Sequence, residues 1–218
     1  MNTGKMSRNN YSLLDKQFTL KLYSAPSCPQ CHRVRFLLAE KELDYETIIV
    51  DGNNKPSELA DLNPYNSVPT LVDRDITVYE PRIILEYIDE RYPHPPMIPP
   101  DPISRANFRM AMYHLENDWY NQVKKLSSPS RRIANTAKNV MQEMLIANAD
   151  MFKANRFFWD EEFTILDCSI APILWRLSSL NVDLPKKNSS PIRQYAKRVF
   201  QRPAFRKSLT EVEAEISK

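Results

Sequence analysis

The stretch S-C-P-Q-C, Ser27 to Cys31, sets two thiols three residues apart at the start of an apolar helical run, with a proline directly after the first. A helix N-terminus favours negative charge, so Cys28 is placed to ionise, and Cys31 has the C-x-x-C spacing of a resolving thiol. Zinc needs a second ligand pair, and the remaining cysteine, Cys168, falls on an apolar helix face; no metal is expected. A second group with chemical potential is Tyr92-Pro93-His94-Pro95-Pro96, where prolines hold an extended backbone and present an imidazole at low entropic cost to a partner. The same composition also suits a stiff linker. A third is a basic run. Between Asp183 and Glu211 there is no acidic residue, while Lys186, Lys187, Arg193, Lys197, Arg198, Arg202, Arg206 and Lys207 carry eight positive charges.

Certain elements must position these groups. Phe18 to Tyr23 and Tyr45 to Val50 read as strands around a helix that begins near Gln30 and carries Val34, Leu37 and Leu38 on one face. A short helix at Ser57 to Leu62 precedes two strands, Thr70 to Asp73 and Ile76 to Tyr79, and a helix from Arg82 to Arg91. The order βαβ then ββα describes a mixed four-stranded sheet with helices packed on it. Past Pro102 the pattern is helical only. Asp101 is the expected N-cap of a helix through Leu126 with two covered faces, one of Phe108, Met112, Leu115, Trp119 and Val123, the other of Ala106, Met110, Tyr113 and Tyr120. His114 and Trp119 on this helix are read as core or subunit contacts. Ile133, Ala137, Val140, Met144, Ala147 and Met151 mark the next helix. Thr164 and Asp167 form a capping arrangement opening the central buried helix I-L-D-C-S-I-A-P-I-L-W-R-L, and Ser190-Pro191 starts the last clear one.

Composition excludes several classes. Seventeen prolines against two glycines leave no Gly-rich phosphate loop. The net charge is +3, but Lys5, Arg8 and Lys16 against Asp15 place most of it in the first seventeen residues, so the remainder is close to neutral and unlike a dedicated DNA-binding domain. Those seventeen residues are polar and read as a flexible leader without an export signal, and no apolar run approaches the roughly eighteen residues of a membrane span. An odd count of three cysteines fits a reducing cytoplasm better than a disulfide scaffold.

Strand followed by S-x-P helix start, Ser67-Val68-Pro69-Thr70-Leu71 before a strand pair, Glu80 opening the next helix and the capped helix at Asp167 together resemble the cytosolic glutathione transferase superfamily. L-N-P-Y-N-S-V-P-T-L-V-D, I-D-E-R-Y-P-H-P-P, L-E-N-D-W-Y and F-T-I-L-D-C-S-I-A-P-I-L-W-R-L are closer to one branch, the bacterial stringent starvation protein A family. The resemblance implies a leader (1–17), an N-terminal thioredoxin-like α/β domain (18–98) and an all-helical C-terminal domain (99–218). It implies a cis Val68–Pro69 bond, and a ligand cleft at Cys28, Val68, Pro69 and Glu80. Tyr23, Ser24 and Ser27 supply hydroxyl types that other transferases use to activate glutathione.

Transferases usually carry serine where Pro81 stands, and proline has neither its hydroxyl nor an N–H to grip the glutathione carboxylate. A lost charge-assisted hydrogen bond is worth about 1.5–3 kcal/mol, so glutathione is expected to be weakened and no cofactor is required. The branch implies a cytoplasmic homodimer that contacts RNA polymerase holoenzyme and its sigma factor through Tyr92, Pro93, His94 and Pro95. It would regulate transcription in starvation or stress without catalysis, meet DNA only indirectly and touch no membrane. Two alternatives stand beside it: a glutathione-dependent thiol transferase or reductase using Cys28, and a regulator that senses redox state through both thiols.

Overall fold

The computed structural model describes residues 20–52, 54–185 and 188–216. The expected leader, Phe18 and Thr19 of the first strand, and Lys186 and Lys187 of the basic run lie outside the described residues.

Four strands, β1 (Leu20–Ser24), β2 (Tyr45–Ile49), β3 (Thr70–Asp73) and β4 (Ile76–Tyr79), form one sheet in the order β2-β1-β3-β4. β1 and β2 run parallel, as a crossover through helix α1 (Pro29–Glu40) requires, and β3 and β4 are antiparallel additions. Tyr23 of β1 lies opposite Thr70, and Thr70 opposite Tyr79, so the chain leaves β1, enters β3 and leaves β4 at the same end of the sheet. Arg74 takes a positive φ of 55° in the two-residue turn from β3 to β4, a role glycine often fills.

Helix α2 is Ser57–Leu62, and α3 is Pro81–Arg91 with Pro81 in its first turn. From Pro102 onward the described chain is helical or irregular. Asp101 caps α4 (Pro102–His114) by accepting from the Ser104 N–H at 2.8 Å, as expected. The helix continues through a π-helical stretch, Leu115–Tyr120, into α5 (Asn121–Leu126). Leu115, Trp119 and Val123 are buried; of the second face Tyr120 is buried, but Ala106, Met110 and Tyr113 are exposed and not covered by the described residues. His114 is likewise exposed, 3.6 Å from Asp118, while Trp119 is core.

In α6 (Arg131–Ala147) Ala137 is buried as expected, but beyond it the buried residues are Met141 and Leu145, each one position after the expected Val140 and Met144, and Met151 opens a separate short helix, α7 (Met151–Ala154). Apolar residues occupy neighbouring positions there, and periodicity alone does not choose between them.

The central helix, α8 (Ile165–Arg176), is buried at eleven of its twelve residues. Asp167 accepts from the Thr164 N–H at 2.9 Å, the Phe158 N–H at 2.9 Å and the Tyr195 hydroxyl at 2.7 Å. Burial raises its carboxyl pKa, which these donors oppose. After α9 (Ser190–Phe200) come two short helices that sequence periodicity did not indicate, α10 (Pro203–Ser208) and α11 (Glu211–Glu215). α1 lies between the sheet's layer and the helical one, packed against α3, α8 and α10, and every residue from Cys31 to Ala39 is buried. No described helix is long and apolar enough to cross a membrane.

Candidate functional site

Three expected cleft positions sit where the shared end of the sheet delivers them. Cys28 follows β1, Val68–Pro69 precedes β3 and is cis as expected, and Glu80 follows β4. Asn63 shapes the approach to Pro69: its amide donates to the Ser67 carbonyl at 3.1 Å and the Thr70 hydroxyl at 3.0 Å. Glu80 has a φ of 67°, a strained value for a side chain of its size. Glu80 and Pro81 line a cavity of about 790 Å³ with Gln30, Arg33 and Glu116, so the N-terminal ends of α1 and α3 open on one space.

Cys28 is the N-cap of α1 and half-buried. Its pKa is lowered to about 6, first by a hydrogen bond from the Cys31 thiol, then by the N–H groups of Cys31 and Gln30 and the charge of Arg176, with burial opposing. Burial pushes the Cys31 thiol well up, and the neighbouring Cys28 adds to that. The pair therefore consists of a thiolate and a buried thiol donor. Cys168 is buried and its pKa likewise raised by burial. Among the described residues no cluster of three or more metal-type ligands occurs.

The three hydroxyls are not arrayed on Cys28. Tyr23 donates to Glu58 at 2.7 Å, and burial together with that carboxylate raises its pKa to about 12. Ser24 is buried and accepts from Arg35 at 2.6 Å. Ser27 is exposed, with its carbonyl accepting from Arg176 at 3.3 Å.

Instead, a buried charged cluster holds the thiol loop. Glu213, fully buried, accepts from Arg176 on one oxygen and from Arg35 at 2.6 Å on the other. The guanidiniums extend to loop carbonyls, Arg176 to Ser27 and Arg35 to Ala25 at 3.5 Å, and the Thr210 hydroxyl donates to Pro26 O at 2.7 Å. Ser208 Oγ donates to Phe205 O at 2.7 Å, so it accepts from His32 Nε2–H at 3.0 Å, and His32 Nδ1 accepts from Arg176. That assigns a neutral imidazole. Burial and the two guanidiniums accordingly hold its pKa well below the usual histidine value. None of this cluster was singled out from the sequence. Its signals were a lone arginine in the apolar run of α8 and a T-x-x-E capping box, Thr210 to Glu213.

At the opposite ends of α1 and α3 lies the proline loop. Pro93, His94 and Pro95 are exposed and Tyr92 is half-buried; the His94–Pro95 bond is also cis. Lys41, at the C-cap of α1, has a side chain with no exposed surface. Its ammonium donates to Asp89, to Tyr92 O at 2.7 Å and to Pro95 O, while Asp89 also accepts from the Met97 N–H at 3.0 Å. The turn is exposed at its tip and tied at both shoulders by one buried cation.

The basic run is partly spent on structure. Arg202 pairs with Glu40 at 2.7 Å and stacks over Phe163, and Arg193 donates to Leu184 O at 2.6 Å. Lys197, Arg206 and Lys207 are exposed.

Residues 18–90 match the family of glutathione S-transferase N-terminal domains. The chain is 38% identical to the stringent starvation protein A homolog of Coxiella burnetii over 201 residues, covering 92% of this chain and 96% of that one. It belongs to the stringent starvation protein A family. The homolog from Pasteurella multocida is 41% identical over 91% of this chain and 93% of its own length. A tau-class glutathione S-transferase from mango, Mangifera indica, superposes with a TM-score of 0.78 at 26% identity, covering 91% of this chain and 96% of that one. The fold is that of the glutathione transferase superfamily, with a thioredoxin-like first part carrying the thiol pair and a helical remainder.

Proposed function

We propose that this chain regulates transcription in starvation or stress by docking on RNA polymerase holoenzyme, sigma factor included, with the Tyr92–Pro95 loop as its contact. The observation that carries the reading is the loop's construction: Pro93, His94 and Pro95 are exposed, while Lys41 and Asp89 fix the backbone on either side from within the protein. A turn already held in one conformation loses little entropy on binding. The working unit is a homodimer. Its support is the set of exposed apolar residues Met110 and Tyr113 on α4 and Ile83 on α3, two helices that Arg109 joins through Glu86 at 2.9 Å. Arg105, whose Nε donates to Pro99 O at 3.1 Å, stands at the start of the same helix. The setting is the cytoplasm, and any DNA contact is indirect, because part of the basic run serves internal pairing.

No catalytic residue is needed for this role. The half-buried Cys28 thiolate nevertheless supports a second reading, a thiol transferase or reductase whose hold on glutathione is lessened by Pro81. The two separate in one experiment on the full chain. Under the first, His94→Ala loses retention of purified holoenzyme while Cys28→Ser keeps it. Submillimolar glutathione binding in calorimetry, with disulfide exchange abolished in Cys28→Ser, establishes the second instead.

A further inference from the structure

The thiol pair and the proline loop stand at opposite ends of one rod. α1 has twelve residues, a length of about 18 Å, with Cys28 as its N-cap and Lys41 as its C-cap. Along the rod every residue from Cys31 to Ala39 is buried, so a displacement at one end finds no soft surface to absorb it.

The loop in front of the helix is equally constrained. The carbonyls of Ala25, Pro26 and Ser27 are gripped by Arg35, Thr210 and Arg176. Residues three apart on a helix are neighbours, within the separation a disulfide spans. Both cysteines are free, and bonding them brings the sulfurs to about 2.05 Å. With the loop carbonyls held, whatever backbone movement accompanies closure falls on the helix. Its far end is the buried Lys41 ammonium that holds Tyr92 O and Pro95 O.

We propose that Cys28 and Cys31 are a reversible dithiol–disulfide site, and that its oxidation by a low-molecular-weight disulfide alters the Tyr92–Pro95 loop through α1. In the first step the Cys28 thiolate attacks one sulfur of the disulfide, forming a mixed disulfide and displacing the other sulfur as a thiolate. That thiolate takes the proton of Cys31. The Cys31 thiolate, with the Ala25 N–H already donating to its sulfur at 3.4 Å, then attacks the Cys28 sulfur and displaces the second small thiolate, which is protonated from solvent. The protein loses two electrons and the small disulfide becomes two thiols. A dithiol of the same class reverses the sequence.

The effect on polymerase rests on the docking reading; the switch itself does not. Full-length protein is treated with glutathione disulfide, and intact mass, backbone hydrogen exchange over residues 89–98 and retention of holoenzyme are each measured. The expected result is loss of two hydrogens and about tenfold faster exchange at Met97, whose N–H is bonded to Asp89, with both reversed by dithiothreitol. Cys31→Ala stops at the mixed disulfide and Cys28→Ser does not react; Cys28→Ala confirms that neither change is a folding defect if its exchange matches reduced wild type. Failure to form the internal disulfide, or a disulfide with unchanged exchange over 89–98, overturns the proposal. Altered exchange without polymerase retention in either redox state supports the switch and removes the docking reading.

Discussion

The two ends of the α1–α3 pair are built in opposite ways. At the N-terminal end, the thiol loop is held from a distance in sequence: Arg176 and Glu213 lie well over a hundred residues from Cys28, and the cluster they form is buried and charged. At the C-terminal end, the proline loop is held from nearer in the chain, by Asp89 on the helix that runs into the loop and by Lys41, which caps α1 within the same α/β part. Both solve one problem, fixing backbone carbonyls that neither strand nor helix satisfies. The difference lies in what each leaves outside. The N-terminal end keeps a reactive group half-buried; the C-terminal end turns its polar groups inward and exposes a stiff, mostly apolar tip.

Breaking the N-terminal arrangement gives the largest effect. Glu213→Ala leaves two buried guanidiniums without their carboxylate beside a neutral imidazole. Removing one partner of a buried ion pair costs about 3–5 kcal/mol, and in a chain of this size each kilocalorie lowers Tm by roughly 2–4 °C. Thermal unfolding should fall by on the order of ten degrees. An unchanged Tm would mean that the C-terminal helices do not anchor the thiol loop.

Asp89→Asn tests the other end with a smaller perturbation. The amide still accepts from the Met97 N–H but no longer opposes the Lys41 charge. Hydrogen bonds to charged groups contribute about 1.5–3 kcal/mol, so a loss within that range is expected in urea unfolding. If local construction confines the damage, backbone exchange rises over 89–98 while reactivity at Cys28 stays as in wild type. Equal disturbance at both ends would erase the contrast and strengthen the case for α1 as a rigid link.

The same contrast explains what could be read from the residues alone. The mixed four-stranded sheet, both capping motifs at Asp101 and Thr164, and the exposed His94 follow from local patterns or short motifs, the cis Val68–Pro69 bond follows from the family resemblance, and the structure has them. His32, Arg33 and Arg35 look like the solvent face of an amphipathic helix, yet all three are buried, because their partners come from the π-helical stretch, α8 and the last two helices. No spacing within α1 announces a partner so far along the chain. Ala106, Met110 and Tyr113 illustrate the converse: an apolar stripe states that something covers it, and among the described residues nothing does.

The smallest effect, about tenfold in reactivity, is also the sharpest in chemistry. Because the folded Cys28 pKa lies near 6, its alkylation by iodoacetamide should reach half its plateau at about pH 6 and change little above neutrality, while buried Cys31 and Cys168 stay unmodified. At pH 6 an ordinary cysteine of pKa near 8.5 is only a few parts per thousand ionised, which gives Cys28 about a hundredfold more thiolate. A less basic thiolate is also a weaker nucleophile, with a Brønsted slope of about 0.4–0.5, which takes back roughly a factor of ten. The net advantage over a free thiol is therefore about tenfold at that pH. The sign of the coupling to folding follows: a depressed thiol pKa stabilises the fold fully above the ordinary thiol range, and that contribution drains away as pH falls toward 6. Replacing Arg176 by Met should shift the half-point upward, since its charge is one of the causes, and replacing Cys31 by Ala should shift it further, since the Cys31 thiol is the largest. If Arg176→Met moves it more than Cys31→Ala does, the distant charges rather than the neighbouring thiol set the chemistry of this end, and the buried cluster becomes the part of the site that matters most.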